Sequence, residues 1–229
     1  AAWEGTLEPI FPSTTRKTDT ISPRLEPWSN ESNNAIVRGD ANNDQPRVFI
    51  PIFPGTNCEY ETEHVFVDAG AEVHTALFRN YNETAVSESI ASFVKELNAA
   101  QILMIPGGFS AGDEPDGSAK YIVSVLKNPE VKEAVHALIA RGGLVLGICN
   151  GFQALVKSGL LPYGEIRDLE ETSATMTFNN IGRHISQTAH VQVKSDKSPW
   201  LRGMKDQKFI VPFSHGEGRF YASDEMVKE

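Results

Sequence analysis

The chain has 229 residues, of which 40% are hydrophobic, and its 30 acidic and 21 basic residues give a formal net charge of −9. This length and composition are typical of a globular protein with one substantial core. The negative charge argues against a nucleic-acid partner and against adhesion to anionic membranes. No apolar run approaches the roughly 20 residues that span a bilayer. The opening AAWEGTLEPIFP lacks the basic start and apolar stretch of a signal peptide, so we expect a cytoplasmic protein.

Residues 1–46 are predicted to form a linker or arm. The segment carries five prolines and many Ser, Thr and Asn residues, and it follows no helical or strand period. Its scattered apolar residues, such as Trp3 and Trp28, favour an arm that lies against a folded surface, and a disordered tail is the alternative. Because the chain begins with Ala and with this segment, we expect it to be a piece of a longer protein.

From residue 47 onward, strand and helix patterns alternate. The apolar run RVFIPIF, closed by the turn residues PGTN, predicts a buried strand. Further strands are predicted at EVHTAL, QILMIP and GGLVLGI, and helices at 58–69, 83–98, 118–127, 130–140 and in NGFQALVKSGLL. Beyond Pro162, the alternation in TSATMTF and HVQVKS predicts a β-rich portion that extends the sheet or packs at its edge. We therefore predict an α/β fold, with a mostly parallel sheet flanked by helices on both faces.

One of the two cysteines, Cys149, lies between an apolar strand and a helix in GLVLGICNGFQALV. Gly147 and Gly151 flank it at matched offsets, which is the arrangement of a nucleophile elbow with sulfur in place of a serine hydroxyl. Small residues on both sides let the chain turn sharply, and we expect a strained backbone at Cys149 and a side chain held above the C-terminal end of a central strand. The alternative is a buried structural cysteine, which does not require the two glycines.

Four motifs carry a family resemblance. PGTNCEYET, GGFSAGDEPDG, GICNGFQALVKSGLLP and SHGEGRF follow one another in the order found in the glutaminase portion of phosphoribosylformylglycinamidine synthase, a class I glutamine amidotransferase. The resemblance covers roughly residues 47–221, whereas GICNGFQ alone would indicate only some class I amidotransferase. It implies a flavodoxin-like glutaminase domain over residues 47–229, and the DEPDG continuation after GGFSAG favours the long, fused form of the enzyme.

The resemblance implies that Cys149 attacks the carboxamide of glutamine, forms a glutamyl thioester, releases ammonia and is regenerated by water. Ammonia then passes to a synthetase domain or subunit of the same enzyme, which uses ATP to make formylglycinamidine ribonucleotide in purine biosynthesis. Nothing in this sequence resembles that synthetase. We therefore expect ATP and Mg²⁺ in the synthetase part and no cofactor in this domain.

A tetrahedral intermediate requires hydrogen-bond donors aimed at its oxygen, and the backbone N–H groups of a glycine-rich loop and of a helix start supply them. Gly108 and Asn150 are the candidate donors, although GGFSAGD is also consistent with a plain strand-to-helix turn. The residues expected to bind glutamine are Gly107, Phe109, Gln153, Ser214, His215 and Gly216. For Gln153, an exposed position on a helix is the alternative.

The general base is the least determined part of the predicted site. His215 and Glu217 have a His-x-Glu spacing that can set a base beside its orienting carboxylate. The resemblance, however, implies that SHGEG lines the glutamine pocket and that the catalytic His-x-Glu lies in a separate motif nearer the C-terminus. Twelve residues follow Glu217, without a further histidine. We therefore expect the chain to stop before the catalytic dyad, with His215 and Glu217 as the fallback dyad.

The remaining thiol and histidines favour structural roles. Cys58 lacks a flanking glycine pair and is predicted to be a reduced structural or peripheral thiol. Surface or core positions are predicted for His64, His74, His136, His184 and His190. No Cys/His spacing indicates a metal site. Two rival functions remain: a docking module without activity, which only binds its synthetase, and a different cysteine hydrolase on the same scaffold.

Overall fold

The computed structural model of the chain describes residues 45–113 and 117–228. The arm predicted at residues 1–46 therefore lies outside the described residues, except for its last two positions. The described residues fall into two units, a larger one of 45–176 with 220–228 and a smaller one of 177–219. The chain thus leaves the larger unit once and returns to it.

Four parallel strands form the sheet of the larger unit, in the order β2–β1–β3–β4. They are β1 (Arg47–Ile52), β2 (Glu72–Leu77), β3 (Ile102–Ile105) and β4 (Leu144–Gly147). Val48 lies opposite both Val73 and Ile102, and Leu103 lies opposite Val145. All four residues of β3 are buried, which explains why its sequence is a continuous apolar run and not an alternating one.

Seven helices accompany these strands in the described part of the chain. They are α1 (Glu59–Asp68), α2 (Glu83–Ala99), α3 (Lys120–Leu126), α4 (Pro129–Ala140), α5 (Asn150–Lys157), α6 (Leu160–Tyr163) and α7 (Asp224–Lys228). Two of them begin at side-chain caps: Asn82 Oδ1 accepts the Ala85 N–H at 2.8 Å, and Asn128 Oδ1 accepts the Glu130 N–H at 3.0 Å. Local sequence therefore determines where these two helices start.

The central core contains a cluster of phenylalanines between the sheet and its helices. Phe93 on α2 is 2% exposed, and its ring meets those of Phe49, Phe53 and Phe78 edge-on at centroid distances of 5.3, 5.6 and 5.5 Å. These separations are in the range of favourable aromatic pairs. The cluster joins α2 to β1 and to the chain that follows β1 and β2.

The four remaining strands pair among themselves. In the smaller unit, β6 (Ile185–Gln192) and β7 (Lys208–His215) run antiparallel, with Ile185 opposite His215. The short strands β5 (Thr175–Thr177) and β8 (Arg219–Tyr221) form another pair. Among the described residues, none of the four joins the parallel sheet. Of the two predicted alternatives, extension of the sheet is therefore wrong, and packing at its edge stays a prediction.

The predicted fold class is confirmed: an α/β fold with a mostly parallel sheet flanked by helices. One detail is corrected. Within the described residues, β4 has β3 as its only neighbour, so Cys149 follows an edge strand of the sheet and not a central one. The reason is that the strands after β4 find their partners in each other, as described above. None of the helices in the described ranges combines the length and apolar character needed to cross a bilayer.

Replacing Phe93 with alanine should destabilise the larger unit by about 3–5 kcal/mol, because the change opens a cavity among the three aromatic rings that Phe93 contacts. Urea unfolding followed by fluorescence would measure the effect. The matched control is Phe178→Ala, since the Phe178 side chain is 61% exposed. Equal losses in both variants would contradict the assigned core.

The Tyr121 phenol predicts a change in stability at alkaline pH. Burial raises the pKa of this phenol above its ordinary value of 10.0, and the Asn80 side chain lowers it to a smaller extent. As pH rises, the phenol therefore loses its proton in the unfolded chain before it does so in the folded chain. The contribution of Tyr121 to the free energy of unfolding is fully present below about pH 10 and is lost as pH rises further. The unfolding free energy of Tyr121→Phe should therefore fall less between about pH 9 and 11 than that of the parent chain. Tyr60→Phe, which removes an exposed hydroxyl, is the control; parallel curves for parent and Tyr121→Phe would refute the assignment.

Candidate active site

Cys149 occupies a sharp turn between β4 and α5. Its φ of 54° and ψ of −111° lie in a region that L-residues rarely adopt, at a cost of about 1–3 kcal/mol. The Gly151 N–H donates to Ile148 O at 2.9 Å, and the Gln153 N–H donates to Cys149 O at 3.0 Å, so the helix begins directly after the thiol. Cys149 is a free cysteine and is exposed. The strained, exposed thiol at a strand-to-helix elbow agrees with the sequence prediction.

The two glycines that flank Cys149 are required by close backbone contacts. A Cβ on Gly151 would overlap the carbonyl oxygen of Ile105 at the end of β3. A Cβ on Gly147 would lie 2.6 Å from Gly151 O and 2.8 Å from Leu155 Cδ1. Because no side chain fits at either position, the elbow packs directly on the neighbouring strand. The prediction that these glycines make the turn possible therefore has a steric basis.

Two loops meet beside Cys149 through main-chain hydrogen bonds. The Asn57 N–H donates to Gly107 O at 2.9 Å, and the Phe109 N–H donates to Gly55 O at 2.9 Å. A third bond joins the Ala111 N–H to Pro54 O at 2.7 Å. The backbone N–H groups of Asn57, Phe109 and Ala111 are the donors in these three bonds. The N–H of Gly108 donates in none of them. We name the paired segments 54–57 and 107–111 the paired loops.

The paired loops leave no room for side chains where they cross. Gly108 has a φ of 134°, and a Cβ there would overlap Gly55 O and lie 2.7 Å from Asn57 N. A Cβ on Gly107 would lie 3.2 Å from Cys149 Cβ and 3.9 Å from its Sγ. Gly107 therefore lies beside the Cys149 side chain, and Gly108 lies against the facing loop. Phe109, the next residue, is 56% exposed.

The side chain of Asn150 connects the start of α5 to the second of these loops. Asn150 is 1% exposed, and its Oδ1 accepts the Ser110 N–H at 3.2 Å. Its Nδ2 donates to Asp113 Oδ2 at 3.0 Å and to Gln153 Oε1 at 3.1 Å. Gln153 is thus buried, and the alternative of an exposed helical glutamine is wrong. Whether Gln153 contacts glutamine stays a prediction.

Asp113 completes this network from the end of the glycine-rich loop. Its Oδ1 accepts the Ala119 N–H at 2.9 Å, at the start of α3, and the Ser110 hydroxyl at 3.3 Å. Sequence reasoning did not single out Asp113, nor Gly55 and Asn57 of the other loop. All three lie inside motifs that carried the resemblance, and this is the one signal in the sequence that could have indicated them.

The histidines in the larger unit have other environments. His136 Nε2 accepts the Ile166 N–H at 2.8 Å. His74 lies between Glu72 and Arg47, and its hydrogen bond to Glu72 lowers the pKa of that carboxyl. His64 is exposed on α1. Cys58 is also exposed, with φ 65° at the residue that precedes α1. The surface or core positions predicted for these histidines fit this picture.

The predicted residues of SHGEGRF up to Arg219 lie in the smaller unit, where Asn179 organises them. Asn179 Nδ2 donates to Arg183 O at 3.0 Å and to His215 O at 2.8 Å, while its Oδ1 accepts the Gly218 N–H at 3.2 Å. His215 Nδ1 lies 2.9 Å from the same Oδ1 and must therefore carry the proton of the neutral ring, with Nε2 as its acceptor nitrogen.

Other contacts in the smaller unit hold the same motif. The Phe213 ring stacks on the His215 ring at 5.0 Å, and His184 Nε2 lies 2.7 Å from Ser214 Oγ. Glu217 is buried. The fallback dyad of His215 and Glu217, and the binding of glutamine by Ser214, His215 and Gly216, stay predictions. Among residues 45–113 and 117–226, no group of three or more His, Cys, Asp and Glu side chains could hold a metal ion.

Comparison with known proteins gives findings of three kinds: a family model, similar relatives and a solved structure. The family model of the CobB/CobQ-like glutamine amidotransferase domain matches residues 45–229. Phosphoribosylformylglycinamidine synthase subunit PurQ of Dehalococcoides mccartyi is 34% identical over 178 residues, which are 77% of this chain and 63% of the relative. The subunit of the same name from Campylobacter jejuni is 32% identical over 184 residues, which are 80% of this chain and 69% of the relative. The chain thus spans less than two thirds of the first relative and slightly more of the second.

The third finding concerns a solved structure. The structure of PurLQS from Thermotoga maritima matches with a TM-score of 0.58 at 23% identity, over 79% of this chain and 71% of that chain. At this identity the match shows a common fold. The parallel sheet with flanking helices is therefore an arrangement that this chain shares with an experimentally determined structure.

Replacing Gly108 with alanine should loosen the paired loops. The new Cβ meets the backbone of the facing loop, and we expect exchange of the Asn57 and Phe109 amide hydrogens to accelerate by at least about tenfold. Hydrogen exchange followed by NMR would measure it. Gly70→Ala is the matched control, because Gly70 has a φ of 90° but no atom within 4 Å of its would-be Cβ. Unchanged protection of both amides in Gly108→Ala would show that the close contact is not required.

Proposed function

The chain belongs to the CobB/CobQ-like glutamine amidotransferase domain family, and on that premise we propose that it hydrolyses glutamine to glutamate and ammonia with Cys149 as the nucleophile. The observation that carries this proposal is the position of the thiol. Cys149 is exposed at a strained elbow and lies beside Gly107 of the glycine-rich loop. A structural cysteine needs neither the exposure nor the strain.

The reaction begins when the Cys149 thiolate attacks the side-chain carbonyl carbon of glutamine. Negative charge then develops on the carboxamide oxygen, which requires donors at about 2.7–3.1 Å. The backbone N–H groups of Gly108 and Asn150 are the proposed donors. Gly108 supports this assignment because the paired loops do not use its amide. Preformed donors of this kind need no reorganisation when the charge appears.

Collapse of the tetrahedral intermediate breaks the carbon–nitrogen bond and leaves a glutamyl thioester on Cys149. The departing nitrogen takes up a proton and leaves as ammonia; water then attacks the thioester, and the thiol is regenerated with glutamate as the product. These proton transfers need an acid–base group. His215, oriented through Asn179 and carrying an acceptor Nε2, is the candidate within this sequence, with Glu217 as its predicted partner.

The ammonia is proposed to serve a synthetase and not to be an end product. The matched relatives are named as a subunit of phosphoribosylformylglycinamidine synthase, which supports transfer to an ATP-dependent synthetase that makes formylglycinamidine ribonucleotide. ATP and Mg²⁺ would be used by that partner. The DEPDG continuation after GGFSAG favours a synthetase joined to this domain in one polypeptide.

Labelling with a diazo-ketone analogue of glutamine tests the nucleophile. Mass spectrometry should find the label on Cys149, and excess glutamine should suppress it because both compounds occupy the same site. Cys58→Ala is the matched control, since both cysteines are free and exposed. The label should persist in Cys58→Ala and vanish in Cys149→Ala.

Two outcomes contradict the proposal. Equal labelling of Cys58 and Cys149, without protection by glutamine, would show only that two thiols are accessible. An absence of labelling at Cys149 would favour a docking module without activity.

A further inference from the structure

We propose that Asp113 is a positioning residue for the reaction: it orients the side-chain amide of Asn150, which fixes the loop carrying Gly108 against the start of α5. This inference rests on the proposed function, because it concerns the two donors assigned there to the carboxamide oxygen. Among the described residues, the hydrogen bonds of Asp113 join it to Ser110, Ala119 and Asn150, and the proposal assigns it no contact with the substrate. It acts through Asn150 and Ser110.

Hydrogen bonds hold the side-chain amide of Asn150 in one orientation. Its Oδ1 accepts the Ser110 N–H at 3.2 Å, so the amino group must point away from Ser110. That amino group has two hydrogens and two acceptors, Asp113 Oδ2 at 3.0 Å and Gln153 Oε1 at 3.1 Å. Because Asn150 is 1% exposed, water cannot replace a lost hydrogen-bond partner unless the surrounding residues rearrange. The amide therefore has one satisfied orientation.

The groups around position 113 require a carboxylate there. Among the described residues, three donors face the Asp113 side chain: the Asn150 amino group, the Ala119 N–H at 2.9 Å and the Ser110 hydroxyl at 3.3 Å. An ionised carboxylate is acceptor-only and suits all three. An asparagine at 113 has one oxygen and one amino group, so at least one donor would face another donor. Because Asn150 is buried and Asp113 is half-buried, a mismatch of this kind displaces its neighbours.

This hydrogen-bond network is connected to the proposed donors through Ser110 and Asn150. Ser110 follows Gly108 by two residues, and the Asn150 amide N–H directly follows Cys149 in the chain. The single contact from Asn150 Oδ1 to the Ser110 N–H therefore links the segments that carry the two donors. Because misplacement of reacting groups by about 1 Å can slow a reaction on the order of a hundredfold, small shifts of Ser110 should be visible in rates.

A pair of substitutions can reverse the polarity of this contact. In Asp113→Asn the amino group of residue 113 faces that of Asn150, and in Asn150→Asp two carboxylates face each other. In the double variant, Asp113→Asn with Asn150→Asp, the new carboxylate at 150 accepts both the Ser110 N–H and the amino group from 113. The oxygen at 113 still accepts the Ala119 N–H. The contact between residues 113 and 150 is thus restored with donor and acceptor exchanged, and the Gln153 amide must turn over so that its amino group faces the new carboxylate.

The experiment compares two reagents at Cys149 in the full chain. The diazo-ketone analogue of glutamine places a carbonyl in the proposed donor site, whereas iodoacetamide alkylates sulfur by direct displacement and does not need those donors. We expect Asp113→Asn to slow the maximal rate of diazo-ketone labelling by about 10- to 100-fold. In Asp113→Asn, the half-saturating concentration of the diazo-ketone and the rate of alkylation by iodoacetamide should stay within about twofold of the parent values. In the double variant, the maximal rate of diazo-ketone labelling should recover to within about threefold of the parent rate. Asp168→Asn, which removes an exposed carboxylate bound to Lys127, is the matched control and should label like the parent chain.

The outcomes separate this inference from the function on which it rests. Parent-like diazo-ketone rates in Asp113→Asn overturn the positioning role alone. Equal slowing with both reagents, or a double variant no faster than the single variants, shows a merely structural aspartate and also overturns it. If the parent chain shows no glutamine-protected labelling at Cys149, the proposed function fails first and the inference fails with it.

Discussion

The candidate site depends on backbone segments that approach one another more closely than any side chain would permit. Gly151 packs on the carbonyl of Ile105, and Gly108 packs on the backbone of Gly55 and Asn57. These contacts place the end of β4 beside β3 and the glycine-rich loop beside the thiol. The unfavourable φ of Cys149 is tolerated because the surrounding packing holds the elbow in place. The exposed position of Cys149 at the end of β4 follows from the absence of Cβ atoms beneath it.

Close backbone approach brings polar groups together in a buried region, and a side-chain network satisfies them. Asn150 supplies the acceptor for the Ser110 N–H, and Asp113 supplies the acceptor for the amino group of Asn150. A buried polar network is stabilising only when each member has its partners. The same requirement that keeps these groups paired also gives the loop one position relative to α5. In the proposed reaction, that fixed position allows the backbone N–H groups of Gly108 and Asn150 to serve as donors to the carboxamide oxygen.

The fold was largely predictable because apolar periodicity reports burial directly. EVHTAL was predicted as a strand and is β2, and the helix predicted at 83–98 is α2. The strand order was not predictable in detail: β4 lies at the end of the described sheet, and the pattern of GGLVLGI does not reveal how many neighbours a strand has. The alternation after Pro162 indicated strands correctly, yet β6 finds its partner in β7 and not in the parallel sheet. Pairing depends on residues distant in sequence, which a local pattern does not identify.

The sequence by itself determined the local turn at Cys149 and the family of the chain. Flanking glycines at matched offsets indicated an elbow, and four motifs in order indicated a glutaminase of the amidotransferase family. The tertiary structure decided which groups surround Cys149. Asp113 lies 37 positions from Asn150 along the chain, and Asn57 lies 50 positions from Gly107, yet each pair is hydrogen-bonded. Local spacing determines the conformation of one turn, because steric limits act between neighbouring residues; hydrogen bonds between separate loops exist only after the sheet has brought those loops together.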